Sequence, residues 1–348
     1  MNKKISLVIL LLWFIIFGGM SCTNKSSSLG VFRSDDEGTT WQQKVKIDDK
    51  KTIKSIDVIS MSINPLDSKI IFIGTRENGL YKTSDEGEIW QQTTLKSGNI
   101  NAISIDPGDP NILYIAGYFG TLGKIFKSID GGQNFEEIYS ETHEKNIVTA
   151  VAIDTYDTRR VYAGTSEGSV LKSEDGGRSW ILQNKLDDNI VCIAISPHDT
   201  RHILIGTASD GMYKTINGGE EWINIQEKIS SEFSKKTATV RSIIFDPVIQ
   251  NKIYFTSLEG FLISDNEGEN WKKIDILTEI TKKGTTVITV SNDSARIYLG
   301  IDSAIYKSSD NGQSWEVNRI TTGLIHVITC DPQNNQKIYI GVAKLPTN

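Results

Sequence analysis

Apolar positions along this chain come in short bursts and not at helical spacing. Runs such as Ile70-Ile71-Phe72-Ile73, Val161-Tyr162-Ala163 and Ile338-Tyr339-Ile340 are rich in β-branched and aromatic residues, and turn residues bound them. That is the signature of strands. A second set, Ile103-Ser104-Ile105, Ile193-Ala194-Ile195 and Ile243-Ile244-Phe245 among others, runs into Asp-Pro or Ser-Pro. A third set reads apolar-aromatic-Lys, as in Leu80-Tyr81-Lys82, Ile125-Phe126-Lys127, Met212-Tyr213-Lys214 and Ile305-Tyr306-Lys307, and a fourth strand opens at an aromatic just downstream. The order repeats with a period of roughly 46 residues, so each period predicts one four-stranded sheet.

Between third and fourth strands lies one motif, Ser/Thr-x-Asp/Asn-x-Gly-x-x-aromatic, seven times over. Its instances start at Ser34, Thr83, Ser128, Ser173, Thr215, Ser264 and Ser308, and their third residues are Asp36, Asp85, Asp130, Asp175, Asn217, Asn266 and Asp310. Six of the seven tryptophans in the chain end such a motif, and Phe135 ends the remaining one. The chemistry is that of a hairpin turn: hydroxyl and carboxylate side chains take up backbone N–H groups, Gly supplies a positive φ, and the aromatic packs back under the hairpin. Asn217 and Asn266 keep the accepting oxygen.

These motifs are Asp boxes, and from Leu29 onward the chain resembles the BNR/Asp-box repeat β-propeller superfamily. In size and repeat texture it is similar to the photosystem II stability/assembly factor-like and sortilin N-terminal-like single propellers. Sialidases and two-propeller xyloglucanases are further members. The resemblance implies an all-β, seven-bladed propeller in which the boxes are scaffold. Residues 30–45 supply a box without inner strands, and residues 325–342 supply inner strands without a box, so joined they predict a seventh blade that closes the ring.

The first residues read as an address. Lys3 and Lys4 precede an apolar run, Ile5 to Phe17, shorter than the roughly 20 residues of a membrane-spanning helix. Gly19-Met20-Ser21-Cys22 resembles a bacterial lipobox, which implies a cleaved signal (1–21), lipidation at Cys22, a polar tether (22–28) and a propeller over 29–348. The chain is then secreted and held on a bacterial cell membrane or outer membrane by its lipid alone.

Composition trims the list of functions. A net charge of −6 speaks against a nucleic-acid binder, which needs a basic surface. Cys22, Cys192 and Cys330 make no disulfide framework, and His143, His198, His202 and His326 are scattered, so neither a metal nor a cofactor is expected.

With propeller connectivity, the face opposite the boxes is the one left for function. Glu77, Glu167, Asp210, Glu259 and Asp302 fall in its loops between second and third strands and predict either an acidic ring at the channel mouth or plain turn chemistry. Tyr118 and Phe119 sit in a longer loop there, available to a partner or packed on the core. Three long blade connectors carry Lys50, Lys51 and Lys54, then Lys235 and Lys236, then Lys282 and Lys283, and are expected to gather on one side of the ring.

No catalytic set stands out. The Arg-Ile-Pro motif that sialidases place before their first box is missing, since the first proline is Pro65, and only Arg76, Arg241 and Arg319 map near the functional face. The xyloglucanase arrangement of carboxylates across two propellers has one propeller here to work with. The reading is a monomeric, non-enzymatic protein-binding or complex-assembly propeller of the cell envelope. The alternative is a glycoside hydrolase or glycan-binding propeller.

Overall fold

The computed structural model describes residues 29–276 and 286–344. The signal segment, Cys22 and its tether, and Lys282 and Lys283 lie outside the described residues. Seven antiparallel four-stranded sheets form blades 1 to 6 over residues 58–92, 99–140, 148–185, 190–224, 240–274 and 286–319, and blade 7 over 324–343 with 30–44. Each runs inner, second, third, outer strand from the axis, and every inner strand touches those of its two neighbours around the ring. Blade 7 is made by both ends of the chain: Gly30–Ser34 pairs with Asn334–Ala343 through Gly30↔Val342 to Ser34↔Ile338.

A flat sheet has two faces to bury, and here neighbouring blades cover each other. Each of the seven hydrophobic cores is shared by two adjacent blades. The core of Val31, Ile53, Val58, Ile71, Tyr81, Trp90 and Tyr339, for example, joins blade 7 to blade 1. Second-strand glycines allow this approach. A Cβ on Gly206 would lie 2.5 Å from the Val240 side chain of the next blade.

Polar ties cross the same seams. The base before a box reaches the following box: Lys82 Nζ donates to Gly131 O at 2.7 Å, Lys127 Nζ to Gly176 O at 2.7 Å, and Lys214 Nζ to Glu267 O at 2.7 Å. Blade 5 has Ile263 at that position, and Lys252 substitutes for it by donating to Asn311 Oδ1 at 2.7 Å. Between blades 3 and 4 the Tyr162 hydroxyl donates to Gly218 O at 3.0 Å.

The boxes fold as their residues predict. Ser34 Oγ accepts from Gly38 N at 2.8 Å while Asp36 Oδ1 accepts from Thr40 N at 2.7 Å. The two Asn variants keep the geometry, with Asn217 Oδ1 accepting from Glu221 N at 3.1 Å and Asn266 Oδ1 from Asn270 N at 2.9 Å. Hydrogen bonds from Asn134, from Ser179 and from Ser314 hold the Asp130, Asp175 and Asp310 carboxyls down to about 2. A second cap, at the end of each inner strand, completes the same face: Asn64, Asp106, Asp154, Ser196, Asp246, Ser291 and Asp331 accept from backbone N–H groups of the turn that follows.

Two details depart from expectation. Of the box aromatics only Trp90 and Trp271 are buried, Trp90 in a core with Val45 and Ile47 of the blade 7 to blade 1 connector and Trp271 in a core with Ile229 and Phe233 of the blade 4 to blade 5 connector; Trp180 and Trp222 are half-buried. The connector from blade 4 to blade 5 also holds a helix, Gln226–Glu232, and a 3-10 turn, Lys235–Ala238, pinned by Gln226 Nε2 donating to Thr237 Oγ1 at 2.6 Å and by buried Ile229.

Candidate functional site

Boxes and inner turns occupy one face. The N–H groups of Glu86, Gly131, Gly176, Gly218 and Glu267 donate to carbonyls of Lys69, Asn111, Arg159, Arg201 and Asn251 in the inner turns of their own blades. The opposite face is left to the loops between second and third strands and to the connectors.

The five predicted acids stand on that face in blades 1, 3, 4, 5 and 6, but they are not equivalent. Glu77 and Glu167 project into solvent while Asn99 and Asn146 side chains hold their backbone N–H groups at 2.9 and 3.2 Å. Asp210 is taken up inside its own blade, accepting from the Tyr213 hydroxyl and from Asn224 Nδ2 at 3.4 Å. Glu259 accepts from Lys273 Nζ at 2.7 Å and from the Ser234 hydroxyl, and Lys273 first and Ser234 next hold its carboxyl below the usual range. Asp302 is half-buried in a left-handed conformation at φ 52°, its carbonyl accepting from Ile325 N at 2.7 Å. The five thus divide into two solvent-facing carboxylates, one shielded by a hydroxyl, one ion-paired and one partly enclosed.

Of the two readings of Phe119, the geometry takes core packing. Its ring packs edge-on to Phe126 at 4.7 Å and joins the core between blades 1 and 2, which leaves Tyr118, half-buried, as the aromatic nearer solvent in that loop. The lysine-bearing connectors do not gather: Lys50, Lys51 and Lys54 lie between blades 7 and 1, and Lys235 and Lys236 between blades 4 and 5.

What repeats on this face, and was not visible in the sequence, is a bulge. The inner strand shifts register at Val58/Ser60, Ile100/Ala102, Val148/Ala150, Ile190/Cys192, Val240/Ser242 and Ile325/Val327, all at the end next to the mouth. The extra residues are Ile59, Asn101, Thr149, Val191, Arg241 and His326, on the strand edge that faces the axis. Bulges re-aim side chains, and six in register make a built rim. Asn101 Nδ2 donates to Val148 O at 3.2 Å and Thr149 Oγ1 to Ile190 O at 2.6 Å, tying blades 2, 3 and 4 together there. Burial first, and Arg76 next against the pull of Asp57, drive His326 down to about 4, so it is neutral at physiological pH. Arg76 itself pairs loosely with Asp57 at 3.7 Å.

Other chemistry is thin. Burial pushes the Cys192 and Cys330 thiols up to about 12. Among the described residues no group of three His, Cys, Asp or Glu side chains is placed to hold a metal ion, and no helix is long and apolar enough to cross a membrane. A groove of about 650 Å³ lies away from the mouth, on the rim between the outer strand of blade 1 and the box of blade 2.

Comparison with known proteins agrees with this architecture. The family model for sortilin, neurotensin receptor 3 matches residues 30–120, and that for the photosynthesis system II assembly factor YCF48 matches residues 181–345. Xyloglucanase Xgh74A of Acetivibrio thermocellus is 24% identical over 200 residues, which is 48% of this chain and 24% of that enzyme. Among solved structures, the GH74 xyloglucanase of Xanthomonas campestris superposes with a TM-score of 0.67 at 13% identity, covering 83% of this chain and 51% of its own. YCF48 bound to D1 peptide gives 0.60 at 16% identity, covering 83% and 94%, and YCF48 from Cyanidioschyzon merolae gives 0.62 at 13%, covering 83% and 96%. The chain is therefore a seven-bladed Asp-box β-propeller, similar to sortilin-type and assembly-factor-type propellers. It spans about half the length of the xyloglucanase structure and a quarter of the curated xyloglucanase.

Proposed function

We propose that this propeller is a non-enzymatic binding or assembly protein, secreted and held on the cell envelope by a lipidated Cys22, which receives a segment of a protein partner at the mouth opposite the boxes. The observation that carries the reading is the register of the six inner-strand bulges. They put six different side chains, from Ile59 and Val191 to Asn101, Thr149, Arg241 and His326, at one structural position. A repeated frame with unrepeated chemistry is how a symmetric ring acquires a specific ligand. A peptide complex of YCF48, which this chain matches over most of its length, supports a protein ligand.

A glycan-binding or hydrolytic reading has the xyloglucanase relatives in its favour. Against it, Asp210 and Glu259 are already bonded to their neighbours, which leaves fewer of the five carboxylates to form an opposed pair.

The test is photo-crosslinking in living cells from a benzophenone side chain at position 191, with position 136 on the outer strand of blade 2 as control. A protein adduct from 191 alone is expected. Release of sugar from xyloglucan that disappears on replacing a single carboxylate would overturn the binder. Acyl labelling unchanged by Cys22→Ala would remove the anchor.

A further inference from the structure

The box face is more than scaffold. We infer that it is a second docking surface, distinct from the mouth, for a cationic segment of a partner protein that carries aliphatic or aromatic anchors. Two independent features of the described face point there.

The first is an arc of exposed apolar side chains. Leu66 in the inner turn of blade 1, Ile129 in the box of blade 2, Tyr156 in the inner turn of blade 3, Ile216 in the box of blade 4, and Val248 with Ile249 in the inner turn of blade 5 are all more than two-fifths exposed, Tyr156 by 90%. Five consecutive blades each contribute. Blades 6 and 7 have Asn292, Asp293, Ser309, Gln333 and Asp35 at the corresponding places. The fold does not require these side chains, because the inner turns are fixed through backbone: the N–H groups of Leu66, Tyr156 and Val248 donate to the caps Asn64, Asp154 and Asp246 at 2.8, 2.8 and 2.9 Å. Apolar groups on rigid turns lose little entropy when covered.

The second is charge. The boxes with the residue before each, and the inner turns, together hold 24 acidic and 14 basic side chains; the rest of the chain, undescribed residues included, holds 19 and 23. The face therefore carries a net −10 while everything else sums to +4. Acids interleave with the apolar arc, as in Leu66-Asp67, Ile129-Asp130 and Tyr156-Asp157.

That pairing selects the occupant. A bilayer taking up the arc would have to bury the interleaved carboxylates, and anionic lipid would be repelled outright. Two copies meeting by this face would set −10 against −10. A basic protein surface with apolar anchors satisfies both features, its charges steering the encounter and its anchors holding it.

The probe is a labelled amphipathic helix of Lys and Leu, titrated against the full mature chain by fluorescence anisotropy, with a Glu/Leu twin as control. Saturable binding that weakens with salt is expected. The combined Leu66→Ser, Ile129→Ser, Tyr156→Ser and Val248→Ser variant should lose about tenfold or more in affinity at an unchanged melting temperature. Single Tyr156→Ser and Ile129→Ser variants keep the test readable if the combination unfolds. Arg241→Gln with His326→Gln at the mouth should leave this binding intact, so failure of the mouth reading and of this one are told apart. Equal binding of the acidic twin, or an affinity indifferent to the serine variants, overturns the proposal. So does co-sedimentation of the unacylated chain with phosphatidylcholine vesicles that the serine variants abolish, which would indicate a membrane, or self-association abolished by the same variants, which would indicate a second copy.

Discussion

Arg33 Nη1 donates to the backbone carbonyl of Glu86, 53 positions along the chain, at 3.0 Å. One comes from the strand that completes blade 7 and the other from the box of blade 1, so this bond lies across the seam between those two blades, beside the sheet in which both chain ends pair. Arg33 is the seventh-blade counterpart of Lys82 and Lys127, whose donation to the next box ties the other seams.

Removing that donor leaves a carbonyl unsatisfied at a seam. Arg33→Ala is expected to lower unfolding stability by about 1 to 3 kcal/mol, mostly from the lost charged hydrogen bond. Its ion-pair partners Asp35, at 2.9 Å, and Glu88, at 3.2 Å, are both well exposed and add little. Arg33→Lys should recover much of the loss, since lysine does this work elsewhere in the ring. Urea denaturation measures both, and an unchanged midpoint in Arg33→Ala would show that the seam between blades 7 and 1 rests on apolar packing alone.

Box aromatics should divide by burial. Trp90 is fully enclosed between blades 7 and 1 and its Nε1 donates to Lys44 O at 3.0 Å, so Trp90→Ala is expected to cost about 3 to 5 kcal/mol. Trp222, half-buried, should cost clearly less when replaced by Ala. Equal losses in thermal melts would contradict this.

The difference between these two tryptophans shows what a repeat conceals. Blade number, strand order and closure were legible because each rests on local chemistry: Gly312 at φ 87° or Ser308 Oγ accepting from Gly312 N answers to its own few residues. The position before the box Gly is left-handed too, and Glu37, Glu86 and Glu267 occupy it at φ 57–62° without advertising it. The bulges at Asn101 and Arg241 were illegible because register is set by the partner strand. Equal spacing likewise made Glu167 and Glu259 look alike, although only Glu259 has a lysine opposite it, on an outer strand 14 residues on.

Asparagine at Asp130 should be milder than alanine. Asn217 and Asn266 already hold their boxes through the same oxygen, so Asp130→Asn keeps the acceptor for Asn134 N at 2.9 Å and loses only the Asn134 Nδ2 bond to Oδ2 at 2.8 Å, whereas Asp130→Ala removes both acceptors and should melt at the lower temperature. Acid titration separates the two chemistries. A folded carboxyl at about 2, against an ordinary 3.8, stabilises fully above the ordinary value and loses that contribution as pH falls toward 2. Asp130→Asn should shrink that acid-induced loss.

His326 titrates in a different window and for a different reason. Its folded value is about 4 against an ordinary 6.5, chiefly through burial, so the unfolded chain takes up the proton first as pH falls. Stability should decline between pH 6.5 and 4 and gain nothing further from this group above that range. His326→Gln should flatten the pH dependence of the melting temperature there. A slope that survives the substitution would place the titrating group elsewhere.

The two kinds of acid at the mouth make opposite forecasts under charge reversal. Glu167 carries its carboxylate into solvent, its loop held instead by Asn146 Oδ1 accepting from the Ser166 hydroxyl and the Glu167 N–H, both at 3.2 Å. Glu167→Lys should therefore leave the melting temperature within about a degree, because an exposed substitution away from such bonds costs within about 0.5 kcal/mol. Glu259→Lys sets two ammonium groups together where Lys273 approaches to 2.7 Å, and it frees the Ser234 hydroxyl that fastens the blade 4 to blade 5 connector, so a measurable drop is expected. If the mouth recruits its partner through charge, Glu77→Lys with Glu167→Lys should weaken capture and its salt dependence together, with the fold intact. Capture that survives this pair, in protein of unchanged melting temperature, would leave recognition to the bulged residues Asn101, Thr149, Val191 and Arg241 and take the carboxylates out of it.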